Sequence, residues 1–147
     1  MDQTPHRFTE LMRGFVPQGD PPVPSTFPAD GSGPVVLRDV PFHSLCVHHL
    51  LPFFGSATIA YRPWDRVAGF SSIAGVVGYW AQRPQLQERM AEQVADNLFQ
   101  ALEPQGLVVR LVARQLCMEM RGVRASGEAE VLAFRADAAD LVPLARS

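Results

Sequence analysis

An α+β fold, an antiparallel sheet with two consecutive helices packed on one face, is predicted by three features of the sequence. Strand-like segments pair before residue 63, helical patterns fill 71–102, and a second strand pair occupies 107–134. Two hairpins embracing two helices bury one face of each element against the other layer.

Each element has a local reason. Thr4 can N-cap a short helix with Pro5 in its first turn, running to about Gly14, with Phe8, Leu11, Met12 and Phe15 at helical spacing. From Pro17 to Pro34 the chain is dense in Pro, Gly, Ser and Asp and reads as a mobile connector. Strands are expected over Pro34–Val40 and Gly55–Arg62, with Phe42–Phe54 between them on a strand end and loop. Ser71 is a suitable N-cap for a helix reaching Gln82, which Gly75 and Gly78 weaken. Pro84 opens a longer helix to about Leu102, with Leu86, Met90, Val94, Leu98 and Leu102 along one face. A long strand over Leu107–Met120, a return strand over Glu128–Phe134 and a last short helix over Asp137–Ala145 complete the pattern.

The 147 residues read as a single domain, 1–147, with an N-terminal helix (1–16) and a Pro/Gly-rich connector (17–33). At 47% hydrophobic and 19% charged, with a net charge of −2, no basic excess exists to attract nucleic acid. Apolar runs are too short and too interrupted to span a bilayer, so no membrane partner is expected. The N-terminus has no apolar h-region, which places the expected compartment in the cytoplasm. All 13 basic residues are Arg, which excludes Schiff-base and P-loop lysine chemistry.

The two cysteines each sit in a distinctive run: Leu45-Cys46-Val47-His48-His49 and Leu116-Cys117-Met118-Glu119-Met120-Arg121-Gly122. Cys46, His49 and a distant Cys117 supply three ligands of an open tetrahedral zinc site, whose fourth position is left for water or substrate. His48 lies beside that set and is free to move protons. Buried apolar thiols or a disulfide are the alternatives. The polar His48-His49 pair directly after Cys46 favours the metal, and with it a zinc hydrolase.

Four stretches resemble the GTP cyclohydrolase I family: Thr4-Pro5-His6-Arg7, Cys46 to Phe53, Gln82 to Arg89, and Cys117 to Val123. The resemblance implies the tunnelling fold, in which antiparallel sheets from several subunits close into a barrel with helices outside. It also implies a homo-oligomer, usually a decamer, with active sites at subunit interfaces and a small heterocyclic substrate. Carried over residue by residue, Cys46, His49 and Cys117 bind Zn2+, which activates the attacking water. His48 protonates the imidazole ring of the guanine, and Glu88 with Gln87 reads the guanine edge. Ser71 and Arg121 are expected among the substrate contacts, and Arg7 is a further candidate.

The departures shape the expected substrate. Glu10, Ser72 and Gly75 stand where the family has basic residues at the triphosphate. Charge-assisted contacts are worth roughly 1.5–3 kcal/mol each, so their loss predicts a substrate without a triphosphate. Gln115 stands where the family has a histidine that assists opening and rearrangement of the ribose, and it is kept here as a catalytic-position residue without a proton to shuttle. Val47 replaces a glutamate, making the pocket more apolar. The reading is a zinc-dependent hydrolase that opens the imidazole-like ring, or cleaves a formamide, of a guanine-like or pterin-like heterocycle. Its alternatives are GTP cyclohydrolase I forming 7,8-dihydroneopterin triphosphate, and a non-catalytic zinc-containing binding module. The nitrile reductases of the same fold do not use this three-ligand pattern.

Overall fold

The computed structural model describes residues 1–147. Its centre is one hairpin, β2 (Val35–Cys46) and β3 (Pro52–Arg62), extended by a second, β6 (Gly106–Gln115) and β7 (Glu128–Ala136). The two-residue strand β5 (Pro84–Gln85) adds to the outer side of β2, giving the order β5-β2-β3-β6-β7. β5 runs parallel to β2, and every other neighbour is antiparallel.

Alternation along the strands decides which face is covered. Leu107, Val109 and Leu111 of β6, with Ile59 of β3, are fully buried beneath two helices, α2 (Phe70–Ala81) and α3 (Gln87–Leu102). Helix α3 presents Met90, Val94, Leu98 and Leu102, all with no exposed area, so the predicted 3.6-residue stripe is the core face. On the other face Ala60 and Val108 are covered by a 3₁₀ turn at Ala139–Leu141 and by α5 (Val142–Arg146). Gly55 is required where β3 meets β6, because a Cβ there would run into the Val112 carbonyl.

The observed elements bear out the α+β prediction, with corrections at their ends. The first helix, α1 (Thr4–Arg13), is capped by Gln3, and Thr4 already lies inside it. None of its residues is buried: Phe8 and Leu11 are 60% exposed, so the apolar stripe has no core to enter within one chain. The connector is partly ordered as β1 (Thr26–Pro28), paired with β4 (Arg66–Ala68). Ser71 is not the α2 cap; Gly69 is, and Ser71 falls in the first turn.

Two further corrections bear on function. Pro84 does not open α3: Pro84–Gln85 pairs with Leu45–Cys46 as a short strand, and the helix begins at Gln87. The long strand predicted to Met120 stops at Gln115, where a single turn, α4 (Leu116–Glu119), takes over. No helix is long and apolar enough to cross a membrane.

Candidate active site and metal centre

Three chain reversals meet at one end of the sheet. Between β2 and β3 the backbone closes with Leu50 N–H donating to the Cys46 carbonyl (2.7 Å) and Cys46 N–H to the Leu51 carbonyl (2.8 Å). Leu50 adopts φ +54° to make this turn, which leaves His48 and His49 on its exposed tip. Val47 N–H donates to the Gln85 carbonyl (2.9 Å), so β5 holds the turn from the other side. The turn α4 follows β6 directly and brings Cys117 opposite Cys46. Arg114 clamps α4 with two hydrogen bonds to the Glu119 carboxylate, at 2.9 and 2.6 Å.

The ligand atoms of Cys46, His49 and Cys117 all lie within 4.8 Å of one another. Cys46 Sγ is 3.8 Å from His49 Nδ1. Zinc bonds of about 2.3 Å to sulfur and about 2.0 Å to nitrogen give tetrahedral edges of about 3.5–3.8 Å, so the donor set fits such an ion with a small contraction. Burial pushes the Cys117 thiol up, nearby Cys46 adds to this, and Arg121 offsets it in part. Two crowded thiols at a half-buried site are what a dication would relieve.

A cavity of about 280 Å³ adjoins the donors, and six predicted residues line it: Cys46, His48, Gln87, Glu88, Gln115 and Cys117. Phe53 and Val131 contribute apolar wall. Glu88 lies exposed in the first turn of α3, where the helix dipole favours its charge. Gln87 beside it is buried, and its amide is committed. Its Nε2 donates to the Leu111 carbonyl (3.1 Å) and the Ala129 carbonyl (2.9 Å), while its Oε1 accepts from Gln115 Nε2 (2.8 Å).

The remaining predicted residues lie outside the cavity lining. Arg121 approaches through His49, with Nη1 3.2 Å from His49 Nε2. Ser71 is exposed at the start of α2 and is not among the lining residues. Ser72 is bound to the connector, its Oγ 2.7 Å from Ser25 Oγ. Glu10 is ion-paired with Arg13 on α1. Sequence reasoning missed Gln85, which is buried, lines the cavity and donates to the Trp80 carbonyl (2.9 Å) and Gln93 Oε1 (2.7 Å). Pro84, which disfavours helix in the residue before it, was the available signal that the helix starts later.

Comparison with known proteins gives this arrangement its context. A GTP cyclohydrolase I family model matches residues 1–138. Proteins named GTP cyclohydrolase 1 match from Hydrogenobaculum sp. (47% identity over 97 residues, 66% of this chain and 53% of that one) and Brevibacillus brevis (42% over 121 residues, 82% and 65%). Another, from Thermobifida fusca, is 40% identical over 131 residues, 85% of this chain and 63% of that one. The chain thus spans about half to two thirds of the length of these curated relatives. A crystal structure of the archaeosine synthase QueF-Like in the apo form superposes with a TM-score of 0.57 at 19% identity, over 72% of this chain and 95% of that one. That likeness concerns fold alone and bears out the tunnelling-fold expectation. By its family-model match and these relatives, the chain belongs to the GTP cyclohydrolase I family.

Proposed function

We propose that the chain catalyses a GTP cyclohydrolase I-type reaction, the hydrolytic opening of the five-membered ring of GTP. The observation that carries this reading is the convergence of Cys46, Cys117, His48 and Glu88 on one cavity, with His49 completing the donor set beside it. The names of the relatives favour GTP over the phosphate-free heterocycle that the sequence departures put first.

The cavity is at the small end of ligand pockets, which run about 300–1,000 Å³, so it takes the base while sugar and phosphates project outward. Glu88 accepts hydrogen bonds from the ring N–H and exocyclic amine of guanine, fixing the base edge. His48, on the turn tip, delivers a proton to the ring nitrogen as the C–N bond opens. Zinc, when held by Cys46, His49 and Cys117, supplies Lewis-acid activation of the water that adds to the ring. Phe53 and Val131 give the base an apolar wall to pack against, while the exposed Glu88 meets its polar edge. Arg121 is placed to meet negative charge on the projecting part of the substrate.

A homo-oligomer, a decamer by resemblance, and a cytoplasmic location belong to this reading. The outer strands β5 and β7 each have one paired side only, which leaves both sheet edges open to neighbouring copies. A second reading, a guanine-like base without triphosphate, draws on Ser72 being tied to Ser25 and on Glu10 being paired with Arg13. Parallel assays with GTP, guanosine and guanine, following loss of purine absorbance, separate the two. Turnover of GTP but not guanosine supports the first; the reverse order supports the second.

A further inference from the structure

The chain leaves the cavity lining at Cys117 and rejoins it at Ala129, so the exposed segment between them borders the cavity mouth. Residues 120–127 of that segment hold two arginines, Arg121 and Arg124, and no Asp or Glu. The carboxylates on either side are taken up by Arg114: Glu119 through two hydrogen bonds, Glu128 at longer range. Arg110 is neutralised in the same way by Glu130, whereas Arg121 and Arg124 form no ion pair. Two unpaired cations therefore stand together at the mouth.

Two backbone bonds fold the segment. Arg124 N–H donates to the Arg121 carbonyl (3.1 Å) and Ala125 N–H to the Met118 carbonyl (3.2 Å). The first closes a tight turn, which brings the Arg121 and Arg124 Cα atoms within about 7 Å of each other. Gly122 and Arg124 take left-handed backbone, with φ +58° and +49°. Glycine adopts that conformation freely, but an arginine adopts it at a cost in stability. Strain at a non-glycine residue beside a functional site points to a role for its side chain. The positions where the family's basic residues would stand offer no cation instead. Glu10 is paired with Arg13, Ser72 is bonded to Ser25, and Gly75 has no side chain.

Resting on the GTP reading above, we propose that the Arg121–Arg124 turn is the phosphate-holding element of this chain, and that Arg124 is the substrate-binding residue that selects nucleotides over nucleosides. With the base in the cavity, sugar and phosphates leave through the mouth that this turn borders. Arg121 stands nearer the metal centre, 3.2 Å from His49, and Arg124 adds a second guanidinium three residues on. Each guanidinium presents a fork of donors that matches two phosphate oxygens. Because the turn is exposed, salt screens its hold on the phosphates.

The test is equilibrium titration of GTP and of guanosine into zinc-loaded His48→Ala protein, which turns over too slowly to interfere, with Arg124 intact or changed to Gln. Arg124→Gln is expected to weaken GTP about tenfold or more, as loss of a charge-assisted contact requires, and to leave guanosine unchanged. The GTP loss should narrow as salt is raised. Unchanged GTP affinity, or equal weakening of guanosine, overturns the proposal. Turnover of GTP is measured beside it with His48 in place. Turnover without an effect of Arg124 overturns the subsite and leaves the GTP reading standing; a phosphate-dependent loss without turnover supports the subsite and removes that reading. Arg124→Gly separates binding from folding. It relieves the left-handed strain, so it should melt no lower than the wild type while losing the same GTP affinity. A lower melting temperature assigns Arg124 to the fold, and retained GTP affinity removes its side chain from the site; either overturns the proposal.

Discussion

Arg121 Nη1 points at His49 Nε2 from 3.2 Å, while the other nitrogen of the same ring faces Cys46 Sγ at 3.8 Å. A guanidinium only donates, so in this contact the imidazole nitrogen is the accepting partner. Were Cys46, His49 and Cys117 to hold zinc, Arg121 would stand directly beside the ion, placed to meet a substrate anion. Arg121→Ala should keep its zinc and raise the KM for GTP about tenfold or more, as loss of a charge-assisted contact of about 1.5–3 kcal/mol requires. An unchanged KM would show that Arg121 does not meet the substrate.

Metal content follows from the donor set. Purified protein should hold about one zinc per chain, and elemental analysis of Cys46→Ser, His49→Ala and Cys117→Ser should show strong loss. Unchanged zinc in any of the three variants would remove that residue from the ligand set.

Loading should depend on pH in a stated direction. Both thiols must lose their protons to bind, and burial beside Cys46 raises the Cys117 pKa in the metal-free fold. Zinc affinity should therefore rise with pH through and above the ordinary thiol range and fall as pH drops below it. Without metal the sign reverses. The raised Cys117 pKa contributes stability below the unfolded thiol pKa, and that contribution is lost as pH rises through the folded value. Competition titrations with a chelator and metal-free melts across alkaline pH check the two limbs.

His48 and Glu88 should separate in kinetics. His48→Ala should keep zinc and lower kcat by about 10²–10⁴-fold, the usual cost of losing a general acid. Glu88→Gln replaces one acceptor with a donor facing a donor, so its main loss should be in binding of any base with the amino-pyrimidinone edge. Ligand titration beside single-turnover kinetics distinguishes the two losses, and normal binding by Glu88→Gln would remove guanine as the recognised edge.

Gly55→Ala tests the sheet that carries the site. The added Cβ meets the Val112 carbonyl on the neighbouring strand, so a cost at or above the about 1–3 kcal/mol of ordinary overpacking is expected in denaturant melts. A neutral result would mean that β3 and β6 are farther apart than described.

Much of this was legible in the residues, for physical reasons that differ by element. Met90, Val94, Leu98 and Leu102 announced α3 because a helix buried on one side repeats every three to four residues. Cys46, His49 and Cys117 were legible because few other combinations supply soft ligands at that spacing. The ends of elements were not. Pro84 suits a helix start as well as an extended strand, and only pairing with Leu45 decides between them. Leu116–Glu119 continues an apolar strand pattern, yet the chain turns there, with Arg114 and Glu119 closing the turn through side-chain bonds that periodicity does not record. The committed amide of Gln87 was equally invisible, because its partners lie 24, 42 and 28 residues away in sequence.

Ring opening of GTP by the zinc-loaded chain is most directly followed by proton NMR of the hydrogen on the carbon between the imidazole nitrogens. That signal should leave the purine position and reappear as formyl or formate, at a rate that collapses in His48→Ala. A signal that stays at the purine position, with zinc bound and the fold intact, would contradict the assignment of this chain as a GTP-opening hydrolase.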